Sequence, residues 1–293
     1  MSAMPLQNRS IVGEFMRLIL IASPGERETD RQIEAACAAR LLPLVKVVPG
    51  ATAGLDFGPP GERRLFYCTG VSDACLMLEQ LLFRAGDSAL HDPHFGYNSQ
   101  PLLFQLAGLP RPATIYVPDP DPAILEGQVK WLGGWPVVVK IGGTEGGAGV
   151  SLAHDMAALQ AAIAAATARV TIEAYFAHVR CWRVTVLGGR VLAATARVAG
   201  AGDFRSNGPG SHPISDAPPP EALGAIALRA AHVLREDFGG ADIMEAADGT
   251  LCLAEYNSPC YFADQAELAG VDIAGAIVDH LIAMGPHPSA GQW

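Results

Sequence analysis

The sequence predicts a small α/β unit with a parallel sheet, followed by an α+β body built on antiparallel strands. Three observations carry that expectation. Strand-like and helix-like segments alternate between residues 17 and 86, as in a parallel layer. Glycine-bearing hairpin signals then recur at LGGR (187–190) and ADG (247–249). Two helical patterns frame the second hairpin, at 221–239 and 272–285.

The elements follow in order. RLILIAS (17–23) is a short apolar run and reads as a strand. ETDRQIEAACAARLL (28–42) has helical spacing, and LVKVVPG (44–50) reads as a strand ended by Pro-Gly. RRLFYCTG (63–70) is a third strand. SDACLMLEQLLFRAG (72–86) has an N-cap serine or aspartate, an apolar stripe and a terminal glycine, as a helix should. HDPHFGYNSQ (91–100) breaks the rhythm and links to the next unit. A helix ending at AGLP, a strand around TIYV and the turn-rich boundary PDPDP follow. HDMAALQAAIAAATA (154–168) is an aspartate-capped, alanine-rich helix. VTIEAYF (170–176), CWRVTVLGG (181–189) and RVLAATARVAG (190–200) are strand-like, and 202–220 is a long polar loop. The helix at 221–239 ends on a glycine stop, and 241–257 forms a hairpin before the closing helix.

Composition narrows the function classes. The chain has 293 residues, half of them hydrophobic and 17% charged, which suits two or three packed units. No apolar run approaches the roughly 20 residues a membrane helix needs. Residues 1–15 lack the apolar segment of a secretory signal and read as an extension ahead of the first strand. The formal net charge is −10 with no basic block, so neither a nucleic-acid nor a membrane partner is expected. Six scattered cysteines form no CxxC pair, which fits buried, reduced thiols in a cytoplasmic protein.

Three constellations carry candidate chemistry. In WPVVVKIGGTEGGAGV (135–150) a strand delivers Lys140 to a glycine loop. The loop matches neither GxGxxG with a helix onset nor a Walker pattern, since no GK[ST] closes it. A strand fixes the ammonium, and glycines let backbone N–H groups approach phosphate oxygens. Lys140 would then neutralise phosphate charge while Gly143, Thr144, Glu145, Gly146, Gly147, Ala148 and Gly149 cover it. A glycine-rich hairpin with a solvated lysine is the alternative.

In ADIMEAADGTLCLAEYN (241–257), Asp242 stands on one arm of a hairpin and Glu255-x-Asn257 on the other. Alternate residues share a strand face, so two carboxylates and an amide oxygen form a hard, oxygen-only set suited to Mg²⁺. The apolar neighbours Ile243, Leu251 and Leu253 suggest buried strands, and buried carboxylates need a counter-charge. The alternative is a set of polar hairpin ends. Glu245 and Asp248, nearer the turn, are expected to be exposed. Between the two sites lie Arg183, Arg197, Arg205 and Asn207, the arginines suited to bidentate contact with carboxylate or phosphate. Ser211 and His212 are adjacent in a proline-rich loop and do not read as part of a triad.

Taken together, these ordered motifs resemble the ATP-grasp carboxylate–amine ligases, most closely the RimK-like branch. The likeness covers about residues 97–284, through PVVVKIGGTEGGAGVSLAHD, TIEAYF, WRVTVLGGRVLAATAR, GDFRSN, GGADIMEAADGTLCLAEYN and GVDIAGAIVDHL. It implies an ATP-grasp fold behind an N-terminal Rossmann-like pre-ATP-grasp domain. The expected divisions are 1–15, 16–95, 96–178 with the glycine flap, and 179–293 with the metal hairpin. It implies ATP and two Mg²⁺ ions as cofactors, Mn²⁺ being an alternative, and a homodimer as a family expectation. Lys140 would contact the α- and β-phosphates, and Glu173, Ala174, Tyr175 and Phe176 would border adenine and ribose. Asp242, Glu255 and Asn257 would hold the metal. Arg183, Arg197, Arg205 and Asn207 would face the γ-phosphate and an acyl phosphate.

The chain departs from that pattern at three places. GYNSQPLLFQLAGLP (96–110) lacks the family's second lysine, Cys181 stands where an aspartate is usual, and SPCYF follows E-x-N. The implied activity is ATP-dependent joining of a small-molecule carboxylate, such as an amino acid or peptide, to an amine. Two other readings use the same nucleotide site: phosphotransfer to a hydroxyl, and nucleotide binding without catalysis.

Overall fold

The computed structural model of the chain describes residues 16–50, 57, 62–94, 100–116, 118–119, 121–142, 147–214 and 219–285. It contains three sheets, one parallel and two antiparallel.

Strands β1 (Met16–Ile21), β2 (Leu44–Val47) and β3 (Arg63–Cys68) form the parallel sheet in the order β2-β1-β3, with helices α1 (Glu28–Ala39) and α2 (Asp73–Arg84) between and after them. Leu18, Ile19, Leu20 and Ile21 are fully buried because the sheet is covered on both faces. Leu18 and Leu20 join Ile33 and Cys37 of α1, whereas Ile19 and Ile21 join Leu78, Leu82 and Phe83 of α2. Ser72 caps α2 by accepting from the Cys75 amide.

Helix α3 (Gln100–Leu106) leads into the second sheet. It is built from β4 (Thr114–Tyr116), β5 (Val137–Ile141), β6 (Val150–Ala153) and β7 (Val170–Ala174) in the order β4-β7-β5-β6. The proline-rich boundary holds a helix the hydrophobic pattern did not announce, α4 (Pro122–Trp131). Asp121 caps it by accepting from the Ala123 and Ile124 amides, and Pro122 occupies the first turn. Helix α5 (Met156–Ala165) carries the expected Asp155 cap.

The third sheet comprises β8 (Arg180–Leu187), β9 (Arg190–Val198), β10 (His212–Ile214), β11 (Phe238–Glu245) and β12 (Leu251–Asn257), ordered β10-β9-β8-β11-β12. Gly188 and Gly189 both have positive φ in the β8–β9 turn, as its sequence signal requires. Helix α6 (Ala222–Leu234) covers one face through Leu223, Ala227, Ala230 and Leu234. It stops five residues before the glycine expected to end it: Arg235 takes the left-handed conformation, and Phe238, Gly239 and Gly240 already belong to β11. The polar loop 202–220 also contributes β10, and a further helix, α7 (Ala263–Ala269), follows β12.

The closing helix α8 (Ile273–Ala283) packs against α1 rather than only against its own sheet. Ile273, Ile277, Val278 and Leu281 share a core with Leu18, Leu20 and Ile33, and Arg40 pairs with Asp279 at 2.6 Å. Among the described residues, no helix is long and apolar enough to cross a membrane.

Candidate active site

The antiparallel sheets contribute opposing walls to one cavity of roughly 500 Å³. On β5, Val137 and Val139 are fully buried, so alternation turns Val138 and Lys140 to the cavity. Val150 and Glu173, register partners of Lys140 and Val138, join them there. The three valines thus seat one lysine: two anchor the strand in the core, and Lys140 shares its open face with the third.

The ammonium of Lys140 lies 2.8 Å from the Glu173 carboxylate. Arg111 takes the other oxygen at 3.1 Å, and both Arg111 and Glu173 have side chains only 5% exposed. Sequence reasoning assigned Glu173 to the nucleotide border but did not single out Arg111. The following residues Ala174, Tyr175 and Phe176, expected to border adenine and ribose, also line the cavity.

Of the glycine loop, Gly143, Thr144, Glu145 and Gly146 lie outside the described residues. Its returning limb docks onto the arginine loop. Arg205 Nη1 donates to the Gly147 carbonyl at 2.9 Å, and Asn207 Oδ1 would sit 2.9 Å from a Cβ at Gly147. Gly147 has φ +74°, so this close approach uses both properties of glycine. Arg205 is held by Asp203, whose carboxyl its hydrogen bond lowers to about 2.

The facing wall comes from the third sheet. Trp182, Val184, Ala241 and Ile243 point into the α6 core, which leaves Cys181, Arg183 and Asp242 on the cavity side. Asp242 stands opposite Glu255, but the next pair is Ile243–Leu253. Ala254 is therefore the extra residue of a β-bulge, and both Ala254 and Glu255 line the cavity. Asn257 Nδ2 donates to Asp242 at 3.1 Å and to Glu255 at 3.2 Å, so all three predicted metal residues meet.

Asp242 also accepts two hydrogen bonds from Arg183, the second at 2.9 Å. Burial works against the Arg183 charge, and Asp242 outweighs it, so the guanidinium is held above its ordinary value. Glu255 opens to the cleft, yet protein surrounds it closely. Burial first, then the charge of Asp242, raise its carboxyl, while Lys140 pulls it down. Arg197, opposite Cys181 in the register, donates to the Ser211 carbonyl and hydroxyl at 3.3 and 3.2 Å. Arg197, Arg205 and Asn207 all line the cavity.

Among the described residues, no group of three or more His, Cys, Asp or Glu could hold a metal ion. The candidate set is two carboxylates and an amide. Its chemistry fits a hard divalent cation, because the mutual repulsion that raises Glu255 would be relieved by one.

Two expectations need correction. Glu245 is not an exposed turn residue: its side chain is 15% exposed, accepts from Trp182 Nε1 at 2.6 Å and lies 3.6 Å from Arg180. Asp248 is exposed as expected. Cys181 lines the cavity and is half-buried, unlike the other five free cysteines, which are buried. Sequence reasoning also missed His178, Ser206 and a wall formed by Tyr261 and by Asp264, Gln265 and Leu268 of α7. The seven-residue helix α7 is too short to show a periodic pattern.

The fold that brings the two antiparallel sheets together around this cavity is similar to that of solved ATP-grasp ligases. The D-alanine–D-alanine ligase of Bacillus anthracis, solved with ATP, superposes with a TM-score of 0.69 at 16% identity, covering 92% of this chain and 96% of that one. The ATP-grasp ligase PsnB, solved with a minimal precursor, superposes at 0.67 with 19% identity, covering 92% and 99%. These likenesses establish the ATP-grasp fold.

The chain belongs to the RimK-like ATP-grasp domain family, whose model matches residues 102–281. The ribosomal protein bS6–L-glutamate ligase of Salmonella paratyphi B (strain ATCC BAA-1250 / SPB7) is 35% identical over 183 residues, 60% of this chain. The chain matches 59% of the length of that relative.

Proposed function

We propose that the chain is an ATP-dependent ligase that joins a carboxylate to an amine through an acyl phosphate, releasing ADP and phosphate. One observation carries this reading. Lys140 from the second sheet and Glu255 from the third line the same cavity, close enough for the lysine to lower the glutamate's pKa. A triphosphate laid between them would meet a cation on one side and a carboxylate set on the other. Family membership supports the reaction class.

In this reading Tyr175 and Phe176 flank the base, and Lys140 neutralises phosphate oxygens from a fixed strand. Gly143 to Gly149 would cover the phosphates and keep water from the acyl phosphate. Asp242, Glu255 and Asn257 would hold Mg²⁺, two ions by family expectation with Mn²⁺ as an alternative, which when bound offsets phosphate charge. Arg183, Arg197, Arg205 and Asn207 hold oxygens of the transferring phosphoryl group. The substrate carboxylate attacks the γ-phosphorus and ADP leaves; the amine then attacks the acyl carbon, loses a proton, and phosphate departs.

The acid and amine are proposed to be amino acids or peptide-borne groups, as the names of the relatives suggest for those proteins. We place the domain boundaries near residues 95 and 178, since the sheets change there, and the protein in a reducing cytoplasm, with which its six free cysteines agree. Mg²⁺-dependent ADP release, screened over pairs of amino acids with hydroxylamine as a trap, tests the reaction. A hydroxamate supports the acyl phosphate. A stable phosphorylated product formed without amine would make the protein a kinase, and background turnover despite ATP binding would make it a binding protein.

A further inference from the structure

We propose that His178 is a positioning residue that locks the loop carrying Arg205 and Asn207 onto the end of β7. The inference rests on the nucleotide reading above, which gives that loop its role. His178 lies between β7 and β8 on the cavity wall. Its Nδ1 is 3.1 Å from the Phe176 carbonyl oxygen, and its Nε2 is 3.1 Å from Ser206 Oγ. A carbonyl only accepts, so Nδ1 carries the proton; in the neutral ring Nε2 then accepts from the Ser206 hydroxyl. Ser206 is 8% exposed and sits between Arg205 and Asn207, so this bond fixes both neighbours.

A second contact joins the same two segments. Tyr175 and Phe204 meet edge to face, with ring centroids 6.4 Å apart. The loop's own backbone bonds are local: Asp203 N to Gly200 O, Gly208 N to Arg205 O and Ser211 N to Gly208 O. They shape the loop but leave its placement against β7 to side chains. From Ser206 the path continues through Arg205 to the Gly147 carbonyl. A clasp of one hydrogen-bonded histidine and one aromatic pair thus links the strand end that borders the base to the glycine loop over the phosphates.

The test compares His178→Ala, Ser206→Ala and the double variant with the wild type. Calorimetry with Mg²⁺ measures binding of ADP and of AMPPNP, which retains a γ-phosphate. Hydrogen exchange without nucleotide measures the amides of 203–208. Each variant should lose about tenfold in AMPPNP affinity relative to ADP, and the double variant no more than either single one. Amides of 203–208 should exchange about tenfold faster while those of β8 and β9 keep wild-type rates. Equal weakening of both nucleotides, additive losses, or unchanged exchange would overturn the clasp. A wild-type protein that binds neither nucleotide sinks the nucleotide reading, and the exchange comparison still decides the clasp.

Discussion

Lys140 and Glu173 form an ion pair on the cavity face of adjacent strands, with Nζ 2.8 Å from Oε2. The pair is asymmetric. Lys140 is 29% exposed, whereas Glu173 is 5% exposed and also serves the equally buried Arg111. Removing the lysine leaves the carboxylate with a cationic partner; removing the carboxylate leaves the buried Arg111 without a counter-charge, held only by the Pro112 carbonyl and the Thr114 hydroxyl. Lys140→Ala should therefore cost less than about 1 kcal/mol of stability yet raise the KM for ATP roughly tenfold or more. Glu173→Gln should cost about 3 kcal/mol or more. Urea unfolding and steady-state ADP release measure the two effects, and equal destabilisation by both changes would contradict the pairing.

The contact between the glycine loop and the arginine loop makes Gly147 a sensitive position. A Cβ there would lie 2.9 Å from Asn207 Oδ1 and 3.6 Å from Arg205 Cδ, at a φ that disfavours any side chain. Gly147→Ala should cost about 1–2 kcal/mol from the backbone alone and should lower kcat by displacing Asn207. A control at Gly189, equally left-handed but with nothing within 4 Å, should share the stability cost without the kcat effect. Matching kcat values for the two variants would show that the loop contact has no bearing on turnover.

A pH dependence is expected from Glu236, at the junction of the first and third sheets. Ser258 Oγ is 2.6 Å from Glu236 Oε2 and 2.9 Å from the Phe238 carbonyl oxygen. The hydroxyl has one proton for these two acceptors: it donates to the carboxylate when Glu236 is ionised, and a protonated carboxyl frees it for the carbonyl. Burial pushes Glu236 up to about 8, opposed by the Ser258 bond and reinforced by Glu79, Asp237 and Asp92. Because the folded-state value is raised, the stabilisation is complete below the ordinary 4.5 and is lost as pH climbs towards about 8. Wild-type unfolding free energy should fall by up to about 1.4 kcal/mol per pH unit in that window. Glu236→Gln, whose amide donates to Ser258 at every pH, should lack this component. Its advantage should be largest near pH 8 and vanish near 4.5; parallel profiles would rule out the neutral carboxyl.

Much of this architecture was legible because it follows from period and punctuation. Val137 and Val139 alternate with Lys140, so strand and lysine orientation could be read together. Asp155 and the glycines at 188–189 announced a helix start and a turn. Other features depend on tertiary partners. The bulge at Ala254, which brings Glu255 opposite Asp242, leaves no mark in the sequence. Arg235 ends α6 in a conformation that glycine would adopt more easily, so Gly239 gave a false stop. His178 matters through Ser206, 28 residues away, and no spacing rule links them.

Glu255 offers the sharpest separation of function from stability. It stands opposite Asp242, shares Asn257 with it, and its pKa is raised by burial and by that neighbouring carboxylate. A group placed against its own charge is held there at a cost to the fold unless a cation joins it. Glu255→Gln removes one of the two opposed charges while keeping the side chain's shape and an acceptor oxygen for Asn257. Without added divalent ion, the variant should therefore unfold at the wild-type midpoint or above it. Turnover should behave oppositely: with one carboxylate of the metal set gone, Mg²⁺-dependent ADP release should fall to background. Added Mg²⁺ should raise the wild-type midpoint and leave the variant's nearly unchanged, by the linkage between binding and folding. Full activity in Glu255→Gln, or an equal Mg²⁺ response in both proteins, would remove the metal from this hairpin.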